Sequence, residues 1–319
     1  MQVFLAEVGL PSIWSATTEF RALAARRPSA RHTLTDDPER ADIVLFTECH
    51  QLPDDWRLET IARSPMARNF PEKTFVYDER DRPWCRLPGL YVSMPRPAFE
   101  QRWQRPWLYP VFRMAPPALD GSEVPDLLFS FVGSPTHPVR GSLFELRHPR
   151  AHISRTDGFV FHDKRSEDFE GRRQAFAESL ARSKFVLCPR GAGTSSIRLL
   201  ETMRAGRVPV VLSDDWVAPP GPDWSSFTIR HAENDVGGLV AVLEGLEPDA
   251  KEMGERARSA YDAWFGADVA FDRMIDLIGQ LVPGRAAFPA RGVWNRQAVH
   301  LAAADLRQRL RSTARAVVR

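Results

Sequence analysis

Twice along the chain, short apolar runs without polar alternation are separated by segments long enough for a helix, and this pattern limits the fold more than any other feature. The first series is MQVFLA (1–6), ADIVLF (41–46) and KTFVYD (73–78), with a helix expected over about 17–27. The second is DLLFSFVG (126–133), a short strand near 151–154, KFVLC (184–188) and VPVVL (208–212), with helices expected at about 138–147, 170–183 and 194–205. Strands that are apolar on both faces belong in parallel sheets covered by helices on both sides. Two such series predict an α/β protein of two Rossmann-like, doubly wound domains. The length of 319 residues agrees, being about twice that of an ordinary domain.

Eight prolines between 83 and 117 make that stretch irregular and place a boundary near 118–125. Helices expected at about 236–245, 249–264 and 267–281 close the second series. The expected division is therefore 1–120, 121–290 and a C-terminal segment, 291–319.

With 43% hydrophobic and 26% charged residues the composition is that of a globular protein, which excludes disordered, collagenous and disulfide-scaffold chains. No apolar run approaches the ~20 residues of a membrane-spanning helix, and the start MQVFLAEVGL lacks the features of a secretion signal. A cytoplasmic protein is the expectation. Cys49, Cys85 and Cys188 are widely spaced, with no CxxC, and point to neither a disulfide framework nor a zinc site.

The net charge of +2 conceals an uneven distribution: residues 291–319 hold seven Arg and one Asp, about +6, leaving about −4 for the remainder. Val299, Ala303, Leu306, Leu310, Ala314 and Val317 recur at steps of three or four among these arginines, which predicts a basic amphipathic C-terminal helix over about 296–318. Such a helix can pack on the body of the protein or hold it peripherally against the anionic inner face of a membrane. A shallow Val and Ala face with no aromatic after Trp294 favours packing.

The segment most informative about chemistry is SKFVLCPRGAGTSSIRLLETMRAGRVPVVLSDDW, residues 183–216. An apolar strand runs into Arg190, Gly191, Gly193, Thr194, Ser195 and Ser196, followed by a helix carrying Arg198 and Glu201. Glycines permit close backbone approach, a helix N-terminus attracts anions, and two arginines add bidentate donors suited to a diphosphate. Glu201 is placed to accept hydrogen bonds from ribose hydroxyls. The segment is neither a P-loop nor a GxGxxG fingerprint. Its structural alternative is a helix capped by Thr194 or Ser195 with surface charges beyond.

CPRG, then S-x-R-x-x-E as Ser196 to Glu201, then GRVPVVLSDDW and DWSSF (223–227) resemble the core of the exostosin-type glycosyltransferases. LLFSFVG followed by Arg140, and the lead-in ARSKFVLCPRG, resemble that family's second domain, so the likeness extends over about 126–280. It implies a GT-B fold of two facing Rossmann-like domains, a nucleotide-sugar donor, foremost a UDP-sugar, and inversion at the anomeric carbon. By position it assigns Arg140, Arg190 and Arg198 to the diphosphate, Glu201 to the ribose and Gly191 to Ser196 to the phosphates. Residues 1–120 match poorly and leave the glycan or glycolipid acceptor open. A bacterial-type enzyme of polysaccharide biosynthesis is the expectation.

No Asp-x-Asp occurs in the chain, so arginines and a helix dipole are expected to stabilise the leaving diphosphate in place of a metal. No metal or other cofactor and no nucleic acid is expected. A general base is sought among carboxylates after the first-domain strands: Glu48 first, beside His50, then Asp78, with Glu79 and Asp81 behind it. Two rival readings are a nucleotide-sugar epimerase on the same fold and a non-catalytic donor-binding partner in a glycan-assembly complex.

Overall fold

The computed structural model describes residues 1–9, 15–26, 31–52, 54–109, 124–156 and 169–317. They form two compact units, residues 1–107 with 274–319, and residues 108–273.

In the first unit, β1 (Gln2–Ala6), β2 (Thr33–Leu34), β3 (Ile43–Phe46), β4 (Thr74–Asp78), β5 (Gly89–Tyr91) and β6 (Gln104–Pro106) lie in one sheet. The order is β2-β1-β3-β4-β5-β6 with every pairing parallel. β3 and β4 are buried along their whole length, as continuous apolar runs require. The connecting helices are α1 (Ala16–Ala25), α2 (Glu59–Ala62) and α3 (Pro65–Asn69); the Ser15 hydroxyl caps α1 by accepting from the Thr18 N–H.

The proline-rich stretch, expected to be irregular, contributes β5 and β6. They are three residues each, too short for periodicity to register. Gly89 opens β5 where any Cβ would overlap the Val76 carbonyl oxygen, so close strand approach dictates glycine there. Trp103 and Trp107 of this stretch are buried in the unit.

The second unit holds β7 (Leu127–Gly133), β8 (Ala151–Arg155), β9 (Ser183–Pro189), β10 (Val208–Leu212) and β11 (Ile229–Arg230), all parallel, in the order β11-β10-β9-β7-β8. Its helices are α4 (Pro138–Phe144), α5 (Phe169–Arg182), α6 (Arg198–Arg204), α7 (Leu239–Leu246) and α8 (Ala250–Trp264). Phe129, Phe131, Phe185, Leu187, Val210 and Leu212 fill its core. Both sheets are thus doubly wound, and each has one place where strand order reverses: between β1 and β3, and between β7 and β9.

The chain ends in the first unit. α9 (Ala270–Gly279) spans the division, and its Asp276 accepts from Arg31 at 2.6 Å and pairs with His32 at 2.9 Å. Arg285 donates to the Thr74 carbonyl at 3.0 Å, Phe288 meets the Trp103 ring edge-on at 5.1 Å, and Trp84 donates to the Val293 carbonyl at 2.6 Å. Trp294 packs on Trp84, which packs on Trp56. The boundaries expected at 120 and 290 therefore differ from those observed at 107 and 273. Helical periodicity marks an apolar face but carries no record of which core that face will meet.

α10 (Arg296–Val317) follows, with Asn295 accepting from the Ala298 N–H and donating to the Ala98 carbonyl. Ala298 is buried, whereas Val299 and Leu306 are 61% and 59% exposed. The start of α10 packs on the first unit, and the rest of the described stripe faces outward; the side chains of 307–319, Leu310, Ala314 and Val317 among them, lie outside the described residues. Truncation after Pro289 removes the Val293 and Trp294 contacts, worth roughly 2 kcal/mol. The melting temperature by calorimetry is expected to fall by about 4–8 °C.

Candidate functional site

In open α/β sheets, ligands bind beyond the carboxyl ends of the strands where strand order reverses. In the second unit that position lies at the ends of β7 and β9, and the residues there are those of the CPRG segment. The Arg190 N–H continues the ladder by donating to the Leu212 carbonyl at 3.0 Å. Arg140, from α4, then ties the loop down: it donates to the carbonyls of Arg190 at 2.8 Å, Pro189 at 3.2 Å and Ser134 at 3.2 Å. Arg140, expected at a diphosphate, here donates to three backbone carbonyls and so shapes the site. The Ser213 hydroxyl, from the end of β10, holds the Thr194 carbonyl at 2.7 Å. A Cβ on Gly191 would come 3.2 Å from both Arg140 Nη2 and Thr136 Oγ1, and Gly193 is buried.

The loop so fixed holds an unusual set of polar atoms. Arg190 Nε, Thr194 Oγ1, Ser195 Oγ, Ser196 Oγ and Arg198 Nε are all buried without a hydrogen-bond partner. Each such atom costs about 1–3 kcal/mol, and native proteins leave few of them. All five can donate, so the ligand that would satisfy them is rich in acceptor oxygens. The capping alternative does not account for them, because α6 begins at Arg198 with Ile197 as its N-cap and no side-chain cap, four residues later than expected.

Arg198 lies 5.5 Å from the ring centres of Phe131 and Phe176 and donates to the Val132 carbonyl. Burial lowers its basicity, opposed by Glu201 and Cys188. Glu201 is itself buried, and desolvation pushes its carboxyl up to about 7 against the pull of Arg198 and Arg204. At neutral pH it is thus divided between its neutral and charged forms.

Two site residues escaped the sequence reading. Glu233 lies 3.7 Å from Arg190 and accepts from the Asp214 N–H at 2.9 Å, while His137, the cap of α4, lies 3.9 Å from Glu233. Burial and the positive charge of Arg190 lower the His137 basicity. Both follow strands at the carboxyl edge, but a single His or Glu after a strand is too common to single out. Asp214 closes a turn with Glu233, and DWSSF is structural: Asp223 caps Ser225, and Trp224 stacks on Trp216, Phe227 and Phe265.

The first unit gathers its carboxylates at its own order reversal. Glu48 accepts from the Ser15 hydroxyl at 2.7 Å, the Thr17 N–H at 3.1 Å and Gln51 Nε2 at 2.6 Å. Asp78 is fully buried, and Arg80 takes both oxygens, Nε at 2.9 Å and Nη2 at 2.7 Å. Both expected bases therefore have their oxygens engaged. His50 stands between Glu79, 2.8 Å from Nδ1, and Glu48, 3.5 Å from Nε2. The three cysteines are buried free thiols, Cys188 pushed up to about 12 by desolvation. Among the described residues no group of three or more His, Cys, Asp or Glu could hold a metal ion, and no helix is long and apolar enough to cross a membrane.

Comparison with known proteins bears on the second unit. Residues 112–246 match the Exostosin GT47 domain model. This stretch of the second unit is similar to an exostosin domain. An Exostosin-1 homolog of Caenorhabditis elegans is 38% identical over 128 residues, taking in 38% of this chain and 34% of that protein. A probable glucuronoxylan glucuronosyltransferase of Arabidopsis thaliana is 40% identical over 79 residues, 23% of this chain and 17% of that one. The chain thus spans about a third or less of the length of these relatives. Sucrose-phosphate synthase from Thermosynechococcus elongatus, at 10% identity, superposes with a TM-score of 0.49 over 89% of this chain and 99% of that one.

The matched segment contains every residue expected at the donor, from Arg140 to Glu201, together with His137 and Glu233; Glu48, His50 and Asp78 lie outside it. Its unpartnered hydroxyls make stability and binding oppose one another. Ser195→Ala is expected to raise the melting temperature of the ligand-free protein by about 2–4 °C, the equivalent of roughly 1 kcal/mol. Glu201 gives a pH signature. Its folded state holds the proton more tightly than the unfolded chain, so the stability it contributes is complete below about 4.5 and lost as pH rises through about 7. Chemical denaturation from pH 4 to 8 should show a decline of up to roughly 3 kcal/mol that Glu201→Gln abolishes.

Proposed function

We propose that the protein is an inverting glycosyltransferase that moves a sugar from a nucleotide-sugar, foremost a UDP-sugar, to a hydroxyl of a glycan or glycolipid. The observation that carries this reading is the Arg190–Arg198 loop, where five buried, donor-capable atoms await an acceptor-rich ligand at a strand-order reversal. A nucleoside diphosphate meets that need, with phosphate oxygens on the hydroxyls and guanidinium groups and the ribose at Glu201. The exostosin match and the relative named as a probable glucuronosyltransferase support the same choice. That relative makes a glucuronosyl UDP-sugar the first donor to test.

In this mechanism the acceptor oxygen attacks the anomeric carbon as the bond to the diphosphate breaks. Negative charge grows on the leaving oxygen, and the pre-arranged Arg190 and Arg198 offset it without reorganisation. Arg140 keeps the loop in place, and burial by Phe131 and Phe176 keeps the dielectric low around Arg198.

Titration with UDP in a calorimeter tests the donor site. Arg190→Ala and Ser195→Ala are each expected to weaken UDP binding about 10-fold or more, as loss of a charge-assisted or buried hydrogen bond does. Binding near pH 6.5 should also release protons, since ribose hydroxyls donating to Glu201 favour its carboxylate. With arginines at the diphosphate, turnover is expected to persist in EDTA; activity lost to chelator and restored by Mn²⁺ or Mg²⁺ would contradict this. Unchanged UDP affinity in both variants would displace the donor from this loop.

A further inference from the structure

We propose that Glu233 is a specificity-determining residue of the second unit's loop: it limits the negative charge accepted beside Arg190, so that a diphosphate capped by a sugar is preferred to one ending in a free phosphate. The inference rests on the glycosyltransferase reading above. The unpartnered atoms of the loop are all able to donate, and Glu233 sets a carboxylate against them, 3.7 Å from Arg190 Nη1.

That carboxylate is held in place. Glu233 follows β11 as Asp214 follows β10, and the two are tied to each other across the strand ends. The Asp214 N–H donates to Glu233 Oε1 at 2.9 Å, and the Glu233 N–H donates to Asp214 Oδ1 at 3.2 Å. The side chains of Arg190 and Glu233 are 18% and 19% exposed, so a ligand can reach the pair while solvent screens it little.

The titratable and charged groups that face Glu233 are Arg190 from the end of β9, His137 from the start of α4 and Asp214. His137 lies 3.9 Å from Glu233 Oε2, but its Nδ1 accepts from the Val139 N–H at 3.4 Å and so carries no proton toward the carboxylate. Burial and the charge of Arg190 disfavour its imidazolium, against the pull of Glu233. Asp214 adds a second carboxylate. Of the positive charge that Arg190 and Arg198 bring to the loop, Glu233 therefore cancels a part.

An oxygen hydrogen-bonded to Arg190 Nη1 lies within about 7 Å of the Glu233 carboxylate. At the effective dielectric of a protein site, one further negative charge at that range is repelled enough to lower affinity about tenfold. In a nucleotide-sugar the terminal phosphate is a diester with a single charge, whereas a free terminal phosphate carries nearly two at neutral pH. The nucleoside diphosphate left after transfer is thus repelled more than the donor it came from, which favours its release.

Calorimetric titration of the full chain at pH 8 tests this with two probes: UDP, and UDP whose terminal phosphate is capped as a methyl ester. The ester is nearly the same size and has one ionisable oxygen fewer. Wild type should bind the ester at least as tightly as UDP. Glu233→Gln, which keeps an oxygen to accept from the Asp214 N–H, should bind UDP about tenfold more tightly than wild type does, with the affinity for the ester changed by less than about threefold. An equal change for both probes marks Glu233 as merely holding Arg190 and overturns the inference alone. Should the melting temperature show that the variant does not fold, wild type decides: UDP bound more tightly than the ester overturns the inference. A wild-type protein that binds neither probe overturns the donor-site reading, and this inference with it.

Discussion

Everything that this protein presents to a ligand follows from the burial of its parallel strands on both faces. A strand covered above and below has room for polar groups only at its ends, and in a parallel sheet all carboxyl ends fall along one edge. β3 and β4 are buried throughout and discharge Glu48, His50, Asp78 and Glu79 at their ends. β9 and β10 are buried in the same way and are followed by Arg190, the Thr194–Ser196 hydroxyls and Ser213. The two clusters are products of one constraint acting in two sheets.

The clusters differ in how far they are satisfied. In the first unit both oxygens of Glu48 and both of Asp78 are hydrogen-bonded, those of Asp78 by Arg80. Of Glu48, His50, Asp78 and Glu79, the histidine is the least buried. In the second unit the backbone is held rigidly by Arg140 and Ser213 while the side chains of the same loop are left without partners. Such groups, already desolvated, lower stability while unpartnered and suit an acceptor-rich ligand. Glu201 and Arg198 extend the principle to charge, each held away from its ordinary protonation equilibrium by burial.

Arg140 illustrates why residue roles are harder to read than residue positions. An arginine after the first strand of this unit is legible as a donor of positive charge near a diphosphate, but the chain does not show that its guanidinium also donates to three backbone carbonyls. Glu48 and Asp78 were legible as strand-end carboxylates, but hydrogen bonds from Ser15, Thr17 and Arg80, set by packing of other elements, decide what those carboxylates are free to do. His137 and Glu233 carry no local signal, being single polar residues after strands.

From the chain alone came the two parallel sheets, because two-sided burial writes itself as uninterrupted apolar runs, and the Arg190–Arg198 loop, because its glycines, hydroxyls and arginines are contiguous. Tertiary structure alone decided which core receives the segment after Met274, since an amphipathic face is complementary to any apolar surface until one is presented. It also added β5 and β6, whose three residues each are held by neighbouring strands and not by any pattern of their own. The pairing of His50 with Glu79 belongs to the same class: 29 positions separate them in the chain, and the parallel ladder between β3 and β4 brings them to 2.8 Å.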